Sequence, residues 1–200
     1  MAMRFLIGYV AALLGSASAF AQSNALTIPE LVRRQAPEPL YQSRTRELMP
    51  PALDDVIPKA DLVIRGTIES STTYLSQDQR SLYTEYIVYP RRVISQTKVQ
   101  SSERPGAASP ITVKRWGGRT TVDGVQVIAE DADLRQFAIG EELLLVLVRS
   151  GDEGKYELLG LGAFVVSKQT IRPLVKHPHH QRFEGWTSTQ FESEIHRMRP

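Results

Sequence analysis

The chain contains no cysteine. That excludes a disulfide framework, a thiolate metal site and lipid attachment at a signal-peptide cysteine. A charge of one sign is missing as well, since 24 Lys and Arg stand against 22 Asp and Glu, a formal net charge of +2. The basic pairs Arg33-Arg34, Arg91-Arg92 and Lys114-Arg115 are dispersed among acidic residues. Without a concentrated basic face to meet phosphates, no nucleic-acid partner is expected. There is no Gly-x-Ser-x-Gly nucleophile motif and no phosphate-binding glycine loop, so neither esterase-type hydrolysis nor nucleotide binding is signalled.

What is present begins with an export signature. Arg4 supplies one positive charge, Phe5 to Leu14 an apolar run, and Ala19 and Ala21 the small residues of a signal-peptidase site. Residues 1–21 are therefore read as a signal peptide cleaved after Ala21, with Ala19 the alternative site, and the protein as exported, periplasmic or secreted. A run of about ten apolar residues falls well short of the roughly 20 that span a bilayer, so no transmembrane segment is expected after cleavage. The remaining chain of roughly 180 residues is long enough for one domain with its own core.

Residues 22–52 hold prolines at 29, 37, 39, 50 and 51 and arginines at 33, 34, 44 and 46. They read as a flexible leader with at most a short helix near Ile28 to Arg34. The domain is expected over 53–200. Leu53, Val56 and Ile57 space one face of a short helix that Pro58 ends.

From Asp61 the period changes to two. Leu62 to Glu69 reads as a strand, with Gly66 marking a bulge or bend. Leu82 to Ile94 is a long strand whose Tyr83, Glu85, Ile87 and Tyr89 share one face, and Leu82, Thr84, Tyr86 and Val88 the other. Pro90 predicts a bend or a free edge there. In Ile111-Thr-Val-Lys-Arg-Trp-Gly-Gly118, Ile111 and Val113 face the core, Lys114 and Trp116 the opposite side, and the glycines turn the chain. Asp123-Gly124 between β-rich arms is a hairpin signal. Glu142 to Arg149 is continuously apolar, as in a strand buried on both faces. Gly151 to Gly154 turns the chain into strands around Lys155–Gly160 and Ala163–Ser167. Phe191, Ile195 and Met198 form the apolar stripe of a C-terminal helix capped by Thr187 or Ser188. Strands with helices only at the ends predict a mainly β fold, an antiparallel OB-like barrel or closely packed sandwich, with a short N-terminal and a C-terminal helix.

Ala60-Asp-Leu-Val-Ile-Arg-Gly66, Tyr83-Thr-Glu-Tyr86, Trp116-Gly-Gly118, Gly140-Glu-Glu before an apolar strand, and Gly160-Leu-Gly-Ala-Phe164 occur in an order that resembles a group of exported bacterial β-domains with no assigned activity. The first of these motifs is also distantly similar to the opening of netrin-like domains, the OB-type barrels of tissue inhibitors of metalloproteinases. The resemblance implies a barrel fold. It does not imply that inhibitory mechanism, which uses an N-terminal cysteine this chain lacks.

Three polar or aromatic groups are candidate sites. His177, His179 and His180 in Lys-His-Pro-His-His are imidazoles of the kind that hold Zn, and in an extended segment His177 and His179 project the same way. A Zn site needs three or four ligands, and the same run equally suits an exposed connection ahead of the terminal helix. Glu130, Asp131 and Asp133 place three carboxylates in four residues, suited to Ca or to acid and base work, but without the spacing of a calcium loop. Tyr83, Tyr89 and Trp116 offer a possible stacking surface for a sugar or peptide. The expected function is a non-enzymatic binding or interaction module of unknown partner and without a cofactor. The alternative is a small metal-binding protein or metal-dependent hydrolase using the three histidines.

Overall fold

The computed structural model describes residues 26–44, 51–97, 109–151, 154–175 and 177–199. The expected signal peptide lies outside the described residues. In chain order the elements are α1 (Ile28–Gln35), β1 (Leu40–Arg44), α2 (Leu53–Val56) followed by a 3-10 turn (Ile57–Lys59), β2 (Leu62–Leu75), β3 (Leu82–Gln96), β4 (Ile111–Trp116), β5 (Gly118–Val122), β6 (Val125–Asp131), β7 (Glu142–Arg149), β8 (Lys155–Ser167), β9 (Thr170–Pro173), α3 (Pro178–Gln181) and α4 (Ser188–Met198). The fold is mainly β with a short helix toward each end. Among the described residues no helix is long and apolar enough to cross a membrane.

Residues 26–44, expected to be a flexible leader, carry both α1 and β1. Thr27 and Glu30 close a reciprocal capping box around the start of α1, which satisfies amides that the first turn leaves without intrahelical partners. Ile28 and Val32 then bury the inner face of this helix, and Leu40 anchors β1 beside them. α1 falls where a short helix is expected, whereas β1 carries too sparse an apolar pattern to be expected, because the surface that covers Leu40 comes from strands far along the chain.

The β2–β3 hairpin is longer than expected on the β2 side and determines much else. Its ladder shifts register at Val63/Ile64, Arg65/Gly66 and Ile68/Ser70. At the last shift Ile68 opposes Val88 and Ser70 opposes Ile87, leaving Glu69 as the extra residue. An extra residue reverses which side chains face inward. Ser71 and Thr73, opposite Tyr86 and Thr84, therefore share the inner side with Ile68. Pro90 does not end β3: it pairs with Gly66, at a place where β4 no longer runs alongside, since the β3–β4 ladder stops at Val88.

Six strands form one sheet in the order β4-β3-β2-β7-β8-β9, and β4 also pairs with β8, in parallel, over Thr112–Lys114. A smaller sheet has the order β1-β6-β5, with β1 parallel to β6. The chain crosses between the two sheets at Trp116-Gly117-Gly118. Gly117 (φ +95°) and Gly118 (φ +138°) adopt backbone angles that disfavour a side chain. A Cβ on Gly118 would also lie 2.6 Å from the Thr73 hydroxyl oxygen. The corner thus needs glycine for angle and for room. Asp123 and Gly124, both with positive φ, close the β5–β6 hairpin as expected.

Three apolar clusters follow from strand alternation. Leu143, Leu145 and Leu147 of β7 enter a first cluster with Ile64, Val88, Val113 and Leu161. Leu144 and Val146, pointing the other way, enter a second with Phe164, Phe183, Phe191 and Ile195, beneath α2 and α4. This explains why β7 is apolar without alternation. The third cluster lies between α1 and the small sheet. Thr187 caps α4 through a reciprocal box with Gln190, and Phe191 and Ile195 bury the predicted stripe, with Met198 packed against it.

Candidate functional site

The inner side of the β2–β3 hairpin changes character along its length. Near Ile64 and Val88 it is apolar core, but past the Glu69 bulge it presents Ser71 and Thr73 of β2 and Thr84 of β3. These hydroxyls form one wall of a cleft of about 760 Å³. The opposite wall comes from the small sheet, through Ser43, Arg119 and Glu130, and from the loop that joins β6 to β7. Tyr86 and Phe137, with ring centroids 4.9 Å apart, close it toward the first core.

The walls are braced by hydrogen bonds. Thr84 donates to the Gly117 carbonyl at 2.6 Å, and its oxygen lies 2.9 Å from that of Thr73. The Tyr86 hydroxyl donates to Gln136 Oε1, and burial pushes the phenol above its ordinary pKa. Arg115 is 6% exposed. Its guanidinium donates to the carbonyls of Leu134 and Arg135 and sits 5.1 Å from the Phe137 ring centroid. A buried cation needs several such acceptors, and here they are main-chain groups, so Arg115 holds the β6–β7 loop in place. Gln136 Nε2 is buried without a hydrogen-bond partner among the described residues.

Charges around the cleft are matched in pairs. Arg119 faces Glu130 at 3.3 Å, and Arg135 makes a two-pronged ion pair with Glu141. Asp131 is buried and accepts the Asp133 amide at 3.1 Å. Two members of the acidic trio, Glu130 and Asp131, line the cleft, and the Asp131 carboxylate also caps the turn by accepting the Asp133 amide.

The expected aromatic surface is divided. Tyr83 and Trp116 are direct cross-strand partners in the β3–β4 ladder. Trp116 packs against the third cluster, with the Arg44 guanidinium 5.8 Å from its ring centroid. Tyr83 stacks on Tyr74 at 6.4 Å and has the Lys114 ammonium at 4.9 Å. These side chains and Lys155 border a second, shallower hollow of about 890 Å³. Within it, burial opposes ionisation of Glu85, but the Lys155 ammonium at 2.8 Å and the Tyr74 hydroxyl at 2.7 Å outweigh it and hold the carboxyl below its ordinary range. Tyr89 lies farther along β3, in a separate groove with Thr67 and Arg91.

The histidines occupy a capped helical turn and not an extended segment. His177 is the N-cap of α3, and its Nδ1 accepts the His179 amide at 3.4 Å. The rings of His177 and His179 are 5.0 Å apart, but the next helical position carries His180 inward, fully buried and stacked on Phe164. Burial, with His177, His179 and Arg182 adding to it and the Gly160 backbone opposing, lowers its pKa to about 4. Among the described residues no three His, Asp or Glu side chains are grouped to hold a metal ion.

Thr84 lies on the inner face that the alternation of β3 predicts, whereas β2 runs past its expected end at Glu69 through Ser71 and Thr73. The one available signal was the run Ser70-Ser-Thr-Thr73, whose β-branched threonines favour a strand. No protein-family model matches the chain, and no curated protein matches it.

Proposed function

We propose that this chain is an exported, non-enzymatic binding module built on an OB-like β-barrel, and that its ligand occupies the cleft bordered by Ser71, Thr73 and Thr84. The barrel reading rests on pairing. Each of β2, β3, β4, β8 and β7 has two neighbours in that cyclic order, and the one link outside the antiparallel pattern is β4 with β8. That is how a five-stranded Greek-key barrel avoids free edges. Barrel mouths are common ligand sites, and the cleft falls within the roughly 300–1,000 Å³ usual for small-molecule pockets.

The observation that carries the binding reading is the hydrogen-bonded bracing of the cleft walls. Arg115, Tyr86 and Thr84 each hold a different part of its wall through hydrogen bonds, which reduces the ordering cost of association. A thermal-shift screen across sugars, amino acids, short peptides and organic acids tests it, because a ligand that binds only the folded chain raises Tm. The expected hit is lost in Ser71→Trp, where an indole fills the cleft from an exposed position. Absence of any hit, or a hit that persists in that variant, overturns the assignment.

Export is tested by fractionation and mass spectrometry of the expressed full chain: the expected mature N-terminus is Gln22 outside the cytoplasm. A cytoplasmic chain retaining residues 1–21 overturns it. Turnover of a screened compound that disappears in Glu130→Gln overturns the non-enzymatic reading.

A further inference from the structure

We infer that the cleft takes a neutral, polyhydroxylated ligand, a short saccharide. The inference rests on the binding-module reading and adds the chemistry of the ligand.

Charge argues first. A carboxylate or phosphate ligand would call for a cation with capacity to spare. Arg119 and Arg135 are each engaged by a carboxylate at the rim, Glu130 and Glu141, and Arg115 spends two of its N–H groups on main-chain carbonyls. A cationic ligand would need a spare carboxylate, yet Glu130 faces Arg119 and Asp131 already accepts a backbone amide. An ionic ligand would compete with these partners, weakly at the exposed Arg119–Glu130 pair and more strongly at the buried Asp131.

The hydroxyl set argues second. Ser43 and Ser71 carry hydroxyls that both donate and accept, with hydrogens free to rotate, while Thr73, its hydrogen directed at Thr84, adds acceptor lone pairs to the same wall. Thr84, whose own hydrogen goes to the Gly117 carbonyl, accepts from Thr73 across their 2.9 Å contact. A ligand hydroxyl has the same dual character, so such a wall can satisfy several in succession without fixing one orientation in advance. A ligand bearing only acceptors would leave the acceptor lone pairs of that wall facing its own.

The apolar closure argues third. A pyranose has C–H faces as well as hydroxyl edges. Phe137, 6% exposed, lines the cleft beside the hydroxyl wall, with Leu134 and Tyr86 buried directly behind it, so the polar wall stands over a narrow apolar floor. Such pockets typically combine apolar lining with a few placed polar groups. At about 760 Å³ the space admits more than a single sugar ring.

The test uses the 15N-labelled chain from residue 22 onward and five probes at millimolar concentration: maltotriose, cellotriose, N,N′,N″-triacetylchitotriose, the anionic trigalacturonate and the cationic chitosan trimer. At least one neutral trisaccharide is expected to shift the amides of Thr73, Thr84, Gly118 and Leu134. Thr73→Val should weaken that binding several-fold with the melting temperature little changed. Ser71→Trp should abolish it, its own amide spectrum showing the fold retained. No shift from any neutral probe overturns the inference, as do shifts that survive Ser71→Trp. Tighter binding of a charged trimer at the same amides overturns the ligand class alone and leaves the cleft as the binding site. Failure of all five probes alongside a Ser71→Trp-sensitive hit of another class in the thermal screen likewise separates the two readings.

Discussion

The Thr84 hydroxyl donates to the carbonyl oxygen of Gly117 at 2.6 Å, across 33 positions of sequence. This buried bond ties the inner side of β3 to the corner where the chain leaves the large sheet for the small one. It therefore links that corner to one wall of the cleft.

Thr84→Val keeps the shape of the side chain and removes the donor. The Gly117 carbonyl then loses this partner in a buried setting, a loss of about 1–3 kcal/mol. Urea denaturation should show a lower midpoint at unchanged slope. An unchanged midpoint would mean that the corner does not depend on the bond.

Gly118→Ala meets two obstacles, φ of +138° and a Cβ 2.6 Å from the Thr73 hydroxyl oxygen. The expected loss is about 2–4 kcal/mol, from strain and displacement of packed strands. Gly124→Ala is the control. Its φ of +80° is also unfavourable, but nothing lies within 4 Å of the added carbon, so the loss should be nearer about 1 kcal/mol. Equal losses at the two sites would remove the steric part of the argument.

His180 makes stability depend on pH. Its folded pKa is about 4, below the ordinary histidine value of 6.5. The unfolded chain thus binds a proton that the folded chain refuses between those values. Stability contributed by this group is complete above pH 6.5 and is lost as pH falls toward 4, by up to about 3 kcal/mol. His180→Phe, which keeps a ring against Phe164, should flatten that segment of the urea-midpoint profile. A profile unchanged by the substitution would contradict the burial of a neutral imidazole.

Zinc separates the helical arrangement from a three-histidine site. His177 and His179 are the pair brought close, and His180 faces the second core. Two imidazoles fall short of the three or four ligands of a zinc centre. Calorimetric titration should give the same weak isotherm for the wild type and His180→Phe, and a weaker one for His177→Ala. A tenfold or larger loss of affinity in His180→Phe would restore the metal reading.

Much of the local structure was legible because its signals are local. The alternation of Leu82 to Tyr89 and the hairpin at Asp123-Gly124 reappear as read, as do the Thr187 cap and the apolar run Leu143 to Leu147. Each depends on residues within one or two turns or on the two faces of one strand. Other features depended on partners distant in sequence. The Glu69 bulge exists only against β3, and it alone turns Ser71 and Thr73 inward to make the cleft wall. β1 is ordered because β6 receives it. His180 is buried because Phe164 and the layer beneath α4 cover it.

The sequence by itself determined where strands alternate, where they turn and how helices are capped, since steric and hydrogen-bonding preferences act over a few residues. Only the tertiary structure decided which faces meet. A single extra residue in one strand reverses its inward side, and no nearby signal records that choice, because the energy that makes it comes from packing across the sheet.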